Sequence, residues 1–134
     1  MANTLLCDIV TPDSMLFAGE GVLIGAPAAD GDIGLMYQCS PLMSTLRRGL
    51  VRIKGANDES ISFAINGGYL EVDGEKVIVL ATRAVEVTKI VKDEAEAAVS
   101  EIESRLGEME EGNPARAFCV EEISWQKYLL TQAK

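Results

Sequence analysis

Two hydrophobic periods run along this chain, and the change between them falls near residue 90. Before it, apolar residues come in short runs separated by turn formers. Leu5 to Val10 is one run, ended by Thr11-Pro12-Asp13; Met15-Leu16-Phe17 is the next, before Gly19-Glu20-Gly21. Val22 to Ala26 leads into Pro27. Ile33 to Tyr37 follows Asp30-Gly31-Asp32, a turn signal because Asp bonds its own backbone and Gly accepts positive φ. Leu50 to Lys54 and Ile61 to Ile65 alternate with period two, which sets Ile61, Phe63 and Ile65 on one face. Tyr69 to Val72 follows Gly67-Gly68, and Lys76 to Leu80 returns from an Asp73-Gly74 hairpin signal. At least eight short strands at this spacing predict an antiparallel sandwich or barrel.

After residue 90 the period becomes helical. Val91, Ala95, Ala98, Ile102, Leu106 and Met109 recur at steps of three and four, with acids on the opposite face. Gly112-Asn113-Pro114 then breaks the chain, and Pro114 suits the first turn of a second helix from about Ala115 to Ala133. The short loop predicts an antiparallel hairpin. Ten of the seventeen residues from Ala117 to Ala133 are apolar or aromatic. Phe118, Trp125 and Leu129 make one stripe, and Cys119, Ile123 and Leu130 a second. One neighbouring helix cannot cover both, so the hairpin packs on the strand domain or offers a stripe to a partner. The expected domains are 1–88 and 89–134.

Composition narrows the function classes. The 134 residues carry 12 basic and 21 acidic side chains, a net charge of −9, and no histidine. That charge excludes a nucleic-acid surface and unaided binding to anionic headgroups. Without imidazole there is no Ser-His-Asp or Cys-His catalysis. Cys7, Cys39 and Cys119 are far apart and read as small apolar residues of a reducing compartment. No run approaches a membrane span, and Met1 to Thr4 lead into a strand without a visible targeting peptide. Asp30 and Asp32 lack the further oxygen ligands of a cation loop, and Gly67-Gly68 lacks the helix N-terminus of a phosphate cradle. No catalytic, metal, nucleotide or cofactor site is expected from these residues. The charge splits as 7 basic and 11 acidic groups in residues 1–90, a balance of −4, and 5 basic and 10 acidic in 91–134, a balance of −5.

Asp30-Gly31-Asp32-Ile33-Gly34-Leu35, then Ser40-Pro41-Leu42-Met43-Ser44-Thr45-Leu46, resembles the signature region of the epsilon subunit of F-type ATP synthase. Asn66-Gly67-Gly68-Tyr69-Leu70-Glu71-Val72, Val77 to Ala81 and Asp8-Ile9-Val10-Thr11-Pro12 are similar to that family as well. The resemblance spans the whole chain. It implies a sandwich of about ten antiparallel strands, a C-terminal α-helical hairpin, and a non-catalytic rotor subunit of a proton-translocating complex. Its partners would be the gamma subunit and the c-ring, with alpha and beta met through the C-terminal helices. The setting implied is the cytoplasmic face of a bacterial plasma membrane, with a plastid thylakoid as the other host.

Carried over by position, Gly31, Asp32 and Ile33 would face the c-ring, with Asp32 replacing a glutamate. Cys39, Ser40, Pro41, Leu42 and Ser44 would face gamma, with Cys39 replacing a histidine. The regulatory helix surface would be Phe118, Trp125 and Leu129 with Arg116 and Lys127. Two departures bear on regulation. Some members bind ATP through Ile/Leu-Asp-x-x-Arg-Ala, where this chain has Ile90-Val91-Lys92-Asp93-Glu94-Ala95, so no ATP site is expected. Only Arg116, Lys127 and Lys134 remain as cations of the second helix, so inhibition of ATP hydrolysis by the hairpin is expected to be weak or altered. The alternative is a free-standing β-sandwich binding module that dimerises through its hairpin.

Overall fold

The computed structural model describes residues 3–133, so Met1 and Ala2 of the N-terminal run and the third helix cation, Lys134, lie outside it. The chain forms two compact units, Met1–Glu86 and Val87–Lys134. In the first, eight strands follow in order: β1 (Leu5–Val10), β2 (Met15–Gly21), β3 (Leu23–Ala28), β4 (Gly31–Leu35), β5 (Leu42–Lys54), β6 (Ser60–Val72), β7 (Lys76–Ala81) and β8 (Ala84–Glu86). They pair as β2-β1-β7-β6-β5-β3-β4, with β8 also on β6. All pairs are antiparallel except β1 with β7, which is parallel.

Eight strands are described where about ten were expected, because β5 and β6 are 13 residues each, and β6 alone pairs with β8 through its first half and with β7 through its second. The runs Ile61 to Ile65 and Tyr69 to Val72 are one strand, continuous through Gly67 and Gly68. Asp30-Gly31-Asp32 is also shifted from expectation: the turn is Ala29-Asp30, and Gly31 and Asp32 already pair within β4. β2 likewise runs on through Gly19 to Gly21. A Cβ at Gly19 would lie 2.6 Å from Phe17 Cζ, so the phenyl ring occupies the space a side chain would need.

Period-two alternation builds the core. Cross-strand registers align Leu70, Val79, Ile9 and Phe17 in one inward row and Val72, Val77 and Cys7 in the next. Ile24, Val51, Ile53, Phe63 and Ile65 supply the other layer, and all five are buried. The rings of Phe17 and Phe63 meet edge to face across the layers at 5.7 Å. Burying each such side chain stabilises by about 1.5–3 kcal/mol.

Cys7 is fully buried in this core, and burial, with a smaller contribution from the Asp8 charge, pushes its thiol pKa from 9.0 up to about 12. The unfolded chain therefore ionises Cys7 at lower pH than the folded one does. Its stabilising contribution is complete below pH 9.0 and is expected to fall as pH rises towards about 12. A Cys7→Ala variant should show a flatter stability profile over that window in urea titrations at stepped pH.

The second unit holds one turn of 3-10 helix (Val87–Lys89), α1 (Lys92–Glu108) and α2 (Ala115–Gln132). Asp93 and Glu94 in the first turn and Arg105 in the last agree with the α1 dipole. Asn113 starts α2, its Oδ1 accepting the Ala115 N–H at 2.9 Å and its carbonyl the Arg116 N–H at 3.0 Å.

Candidate functional site

The β3–β4 hairpin presents the acidic tip. Gly31 has φ +139 in the register opposite Ala28, and Asp32 pairs with Pro27. Along β4 burial alternates, so Asp32 is exposed while Ile33 packs against the core. Of the three residues assigned to a c-ring contact, Asp32 alone offers an exposed polar side chain. Sequence reading missed its partner: Arg47 Nη2 donates to Asp32 Oδ1 at 2.6 Å, and Arg47 Nε donates to the Ala28 carbonyl at 2.9 Å. The Ala29 N–H also donates to the Thr45 carbonyl at 3.0 Å. The tip is thus stitched to β5 by side chain and backbone together.

The segment assigned to gamma divides. Cys39 is half-buried against the core, and the loop beside it is tied down where the Gln38 N–H donates to the Gly74 carbonyl at 2.7 Å. That neighbouring turn is fixed by Asp73 Oδ1, which accepts the Glu75 and Lys76 N–H groups; these bonds hold the Asp73 carboxyl below its ordinary pKa. Ser40 and Pro41 are exposed. Ser44 pairs with the core residue Leu70 and is half-buried, whereas Leu42 pairs with the core residue Val72 but is itself 38% exposed.

The outward register was not singled out in the sequence. Met43, Tyr69 and Leu80 are 77%, 61% and 49% exposed. Tyr69 pairs with Leu80, and Leu80 with Val10, which in turn pairs with Met15. Beside them lies an apolar depression of about 370 Å³, lined by Val10, Pro12, Tyr69, Leu80 and Thr82 among others. A signal did exist: apolar residues on both parities of Leu42-Met43 and Tyr69-Leu70 mean that one of each pair must face outward.

On the hairpin the proposed stripe also divides. Trp125 and Leu129 are buried, but Phe118 is 83% exposed. Arg116 is not a free surface cation: its Nη1 donates to the Leu106 and Met109 carbonyls, both at 3.0 Å, closing the C-terminal end of α1. Lys127 lies 3.5 Å from Glu103 in an exposed ion pair. Among the described residues no group of three or more Cys, Asp or Glu is placed to hold a metal ion. No described helix is long and apolar enough to cross a membrane.

The sandwich unit defines the class of protein. Residues 4–87 match the family described as ATP synthase, Delta/Epsilon chain, beta-sandwich domain. The ATP synthase epsilon chain of Teredinibacter turnerae is 39% identical over 106 residues, covering 79% of this chain and 75% of that protein. The epsilon chain 1 of Methylococcus capsulatus is 36% identical over 114 residues, covering 82% and 81%. A chain in the cryo-EM structure of the Euglena gracilis mitochondrial ATP synthase OSCP/F1/c-ring shares the fold, with a TM-score of 0.66 and 14% identity over 98% of this chain and 77% of that one. This chain belongs to the ATP synthase epsilon chain family, and it is a non-catalytic subunit of that complex.

Proposed function

We propose that this subunit works in the central stalk as part of the rotor, joining gamma to the c-ring at the cytoplasmic face of a bacterial membrane. The observation that carries this reading is the exposed apolar surface made by Tyr69, paired with Leu80, and by Met43, which lies diagonal to Tyr69 on the same face of the sandwich. An apolar surface of this kind needs a partner, and an apolar face of the gamma subunit fits it. Cys39, Ser40 and Pro41 lie at the margin of the same contact. The acidic tip around Asp32 serves the ring. Residues 1–88 then form the rotor-linking domain, and 89–134 the domain that reaches alpha and beta.

Co-purification from membranes tests the reading. Tyr69→Asp is expected to weaken gamma binding at least about tenfold, since a charge would enter a desolvated centre. Retention of gamma at the wild-type level would overturn the assignment, and a stable homodimer without gamma would favour the free-standing module.

The α1 start supports the absence of nucleotide sensing. Asp93 and Glu94 occupy the first turn, and the N-terminal residue Val91 supplies no capping side chain. These carboxylates repel phosphate where a helix N-terminus would otherwise attract it. Titration with millimolar ATP is expected to leave the amide resonances of residues 90–95 unmoved; saturable shifts there would refute this.

A further inference from the structure

Resting on the reading of the β3–β4 tip as the ring contact, we propose that Arg47 is the positioning residue of that contact, holding Asp32 so that its second carboxylate oxygen points to the partner. The guanidinium spans two points of one hairpin: Nε holds the Ala28 carbonyl at the end of β3, and Nη2 holds Asp32 Oδ1 near the start of β4. A planar fork with donors on fixed vectors can set a carboxylate's orientation as well as its charge. The Asp32 side chain is 82% exposed, so with Oδ1 engaged, Oδ2 stays open to solvent and to an incoming N–H donor.

The geometry also explains how the shorter acid serves. Aspartate reaches less far than glutamate, so the tip must come to the ring rather than the side chain. Three connections fix the tip to β5: the Arg47 bond to Ala28, the Ala29 N–H bond to Thr45, and the pairing of Ala28 with Leu46. Arg47 also offsets the Asp32 charge, leaving exposed Asp30 as the uncompensated acid of the turn.

The test uses the assembled membrane complex carrying Asp32→Ala, Arg47→Ala, Arg47→Lys or the double alanine variant. Subunit retention and ATP-driven proton pumping per ATP hydrolysed are measured, with unfolding midpoints of each free subunit as a control for folding. Arg47→Ala is expected to weaken ring-dependent retention about fivefold, and the double variant no more than Asp32→Ala alone, because an exposed ionic pair is worth at most about that much and acts here through Asp32. Arg47→Lys should recover part of the loss, supplying charge without the two-point fork. Equal retention by Arg47→Ala and wild type, with Asp32→Ala impaired, would overturn the role of Arg47 alone. An undiminished Asp32→Ala complex would instead overturn the ring assignment of the tip, and this proposal with it. Additive losses would show that Arg47 acts independently of Asp32, which also overturns it.

Discussion

Gly68→Ala is expected to destabilise the sandwich by about 3 kcal/mol or more, the largest effect of any conservative change in this unit. Gly68 has φ +148, and a Cβ there would stand 2.0 Å from the Leu80 carbonyl oxygen and 2.9 Å from Ala81 Cα. Both obstacles are backbone atoms of β7, the strand with which Gly68 itself pairs, so neither can swing aside as a flexible side chain could. The site is also where β6 changes partner from β8 to β7. The Thr82 N–H donates to the Gly67 carbonyl, Thr82 Oγ1 to the Asn66 carbonyl at 2.6 Å, and the Asn66 N–H to the Arg83 carbonyl. Moving the β6 backbone to relieve the clash would break these bonds. Gly67→Ala is the control: its φ is +83, but its nearest obstacle is the Leu46 carbonyl at 3.4 Å. It should cost only about 1–2 kcal/mol, mostly conformational. Urea unfolding of the two variants separates the effects, and equal midpoints would show that φ rather than the clash governs this crossing.

That pair of glycines shows what the sequence could and could not reveal. Asn66-Gly67-Gly68 was visible as punctuation between two alternating runs, but punctuation does not distinguish a turn from a strand that bends. The distinction depends on β5 and β7 lying against β6 on either side, which is tertiary information. The first half of β5 was hidden for a related reason. Leu42-Met43 is apolar on both parities and Arg47-Arg48-Gly49 is polar on both, so no period-two signal survives. The same ambiguity concealed the outward-facing Met43, Tyr69 and Leu80. The core was more legible where alternation survives: Phe63 and Ile65 are buried and Ile61 packs against the same core, as their period-two spacing requires. Asp32 could be found from its motif, whereas Arg47 is 15 residues away and meets it only through the β3–β5 pairing. Arg116 carried a charge that reads as a surface feature in sequence. Its engagement with two carbonyls of the preceding helix follows from the loop geometry, which composition does not encode.

In the hairpin the largest expected effect belongs to Trp125→Ala, a loss of about 3–5 kcal/mol from the helical unit. Trp125 is fully buried and its ring stacks on Tyr128 at 5.9 Å, with Ile123 and Leu129 the other buried residues of α2. The polar contacts nearby cannot substitute for it. Lys127 and Glu103 are 61% and 53% exposed at 3.5 Å, a pair worth no more than about 1 kcal/mol in solvent. Lys127→Ala should therefore leave the helical unit almost unchanged. Trp125→Phe should retain most of the stability, because a ring still fills the site and faces Tyr128. Thermal unfolding followed by the far-ultraviolet helical signal orders the variants: wild type and Lys127→Ala together, Trp125→Phe slightly lower, Trp125→Ala far below. Trp125 is the single tryptophan of the chain, so its fluorescence gives an independent reading of the unfolding in the wild type and in Lys127→Ala. A Lys127→Ala loss equal to that of Trp125→Ala would mean that charge rather than burial holds the helices together. The phenyl on the same stripe argues for the reverse: Phe118 is 83% exposed, so Phe118→Ala should leave stability unchanged. Any effect of that change on the assembled complex would then report contact with a partner rather than the fold.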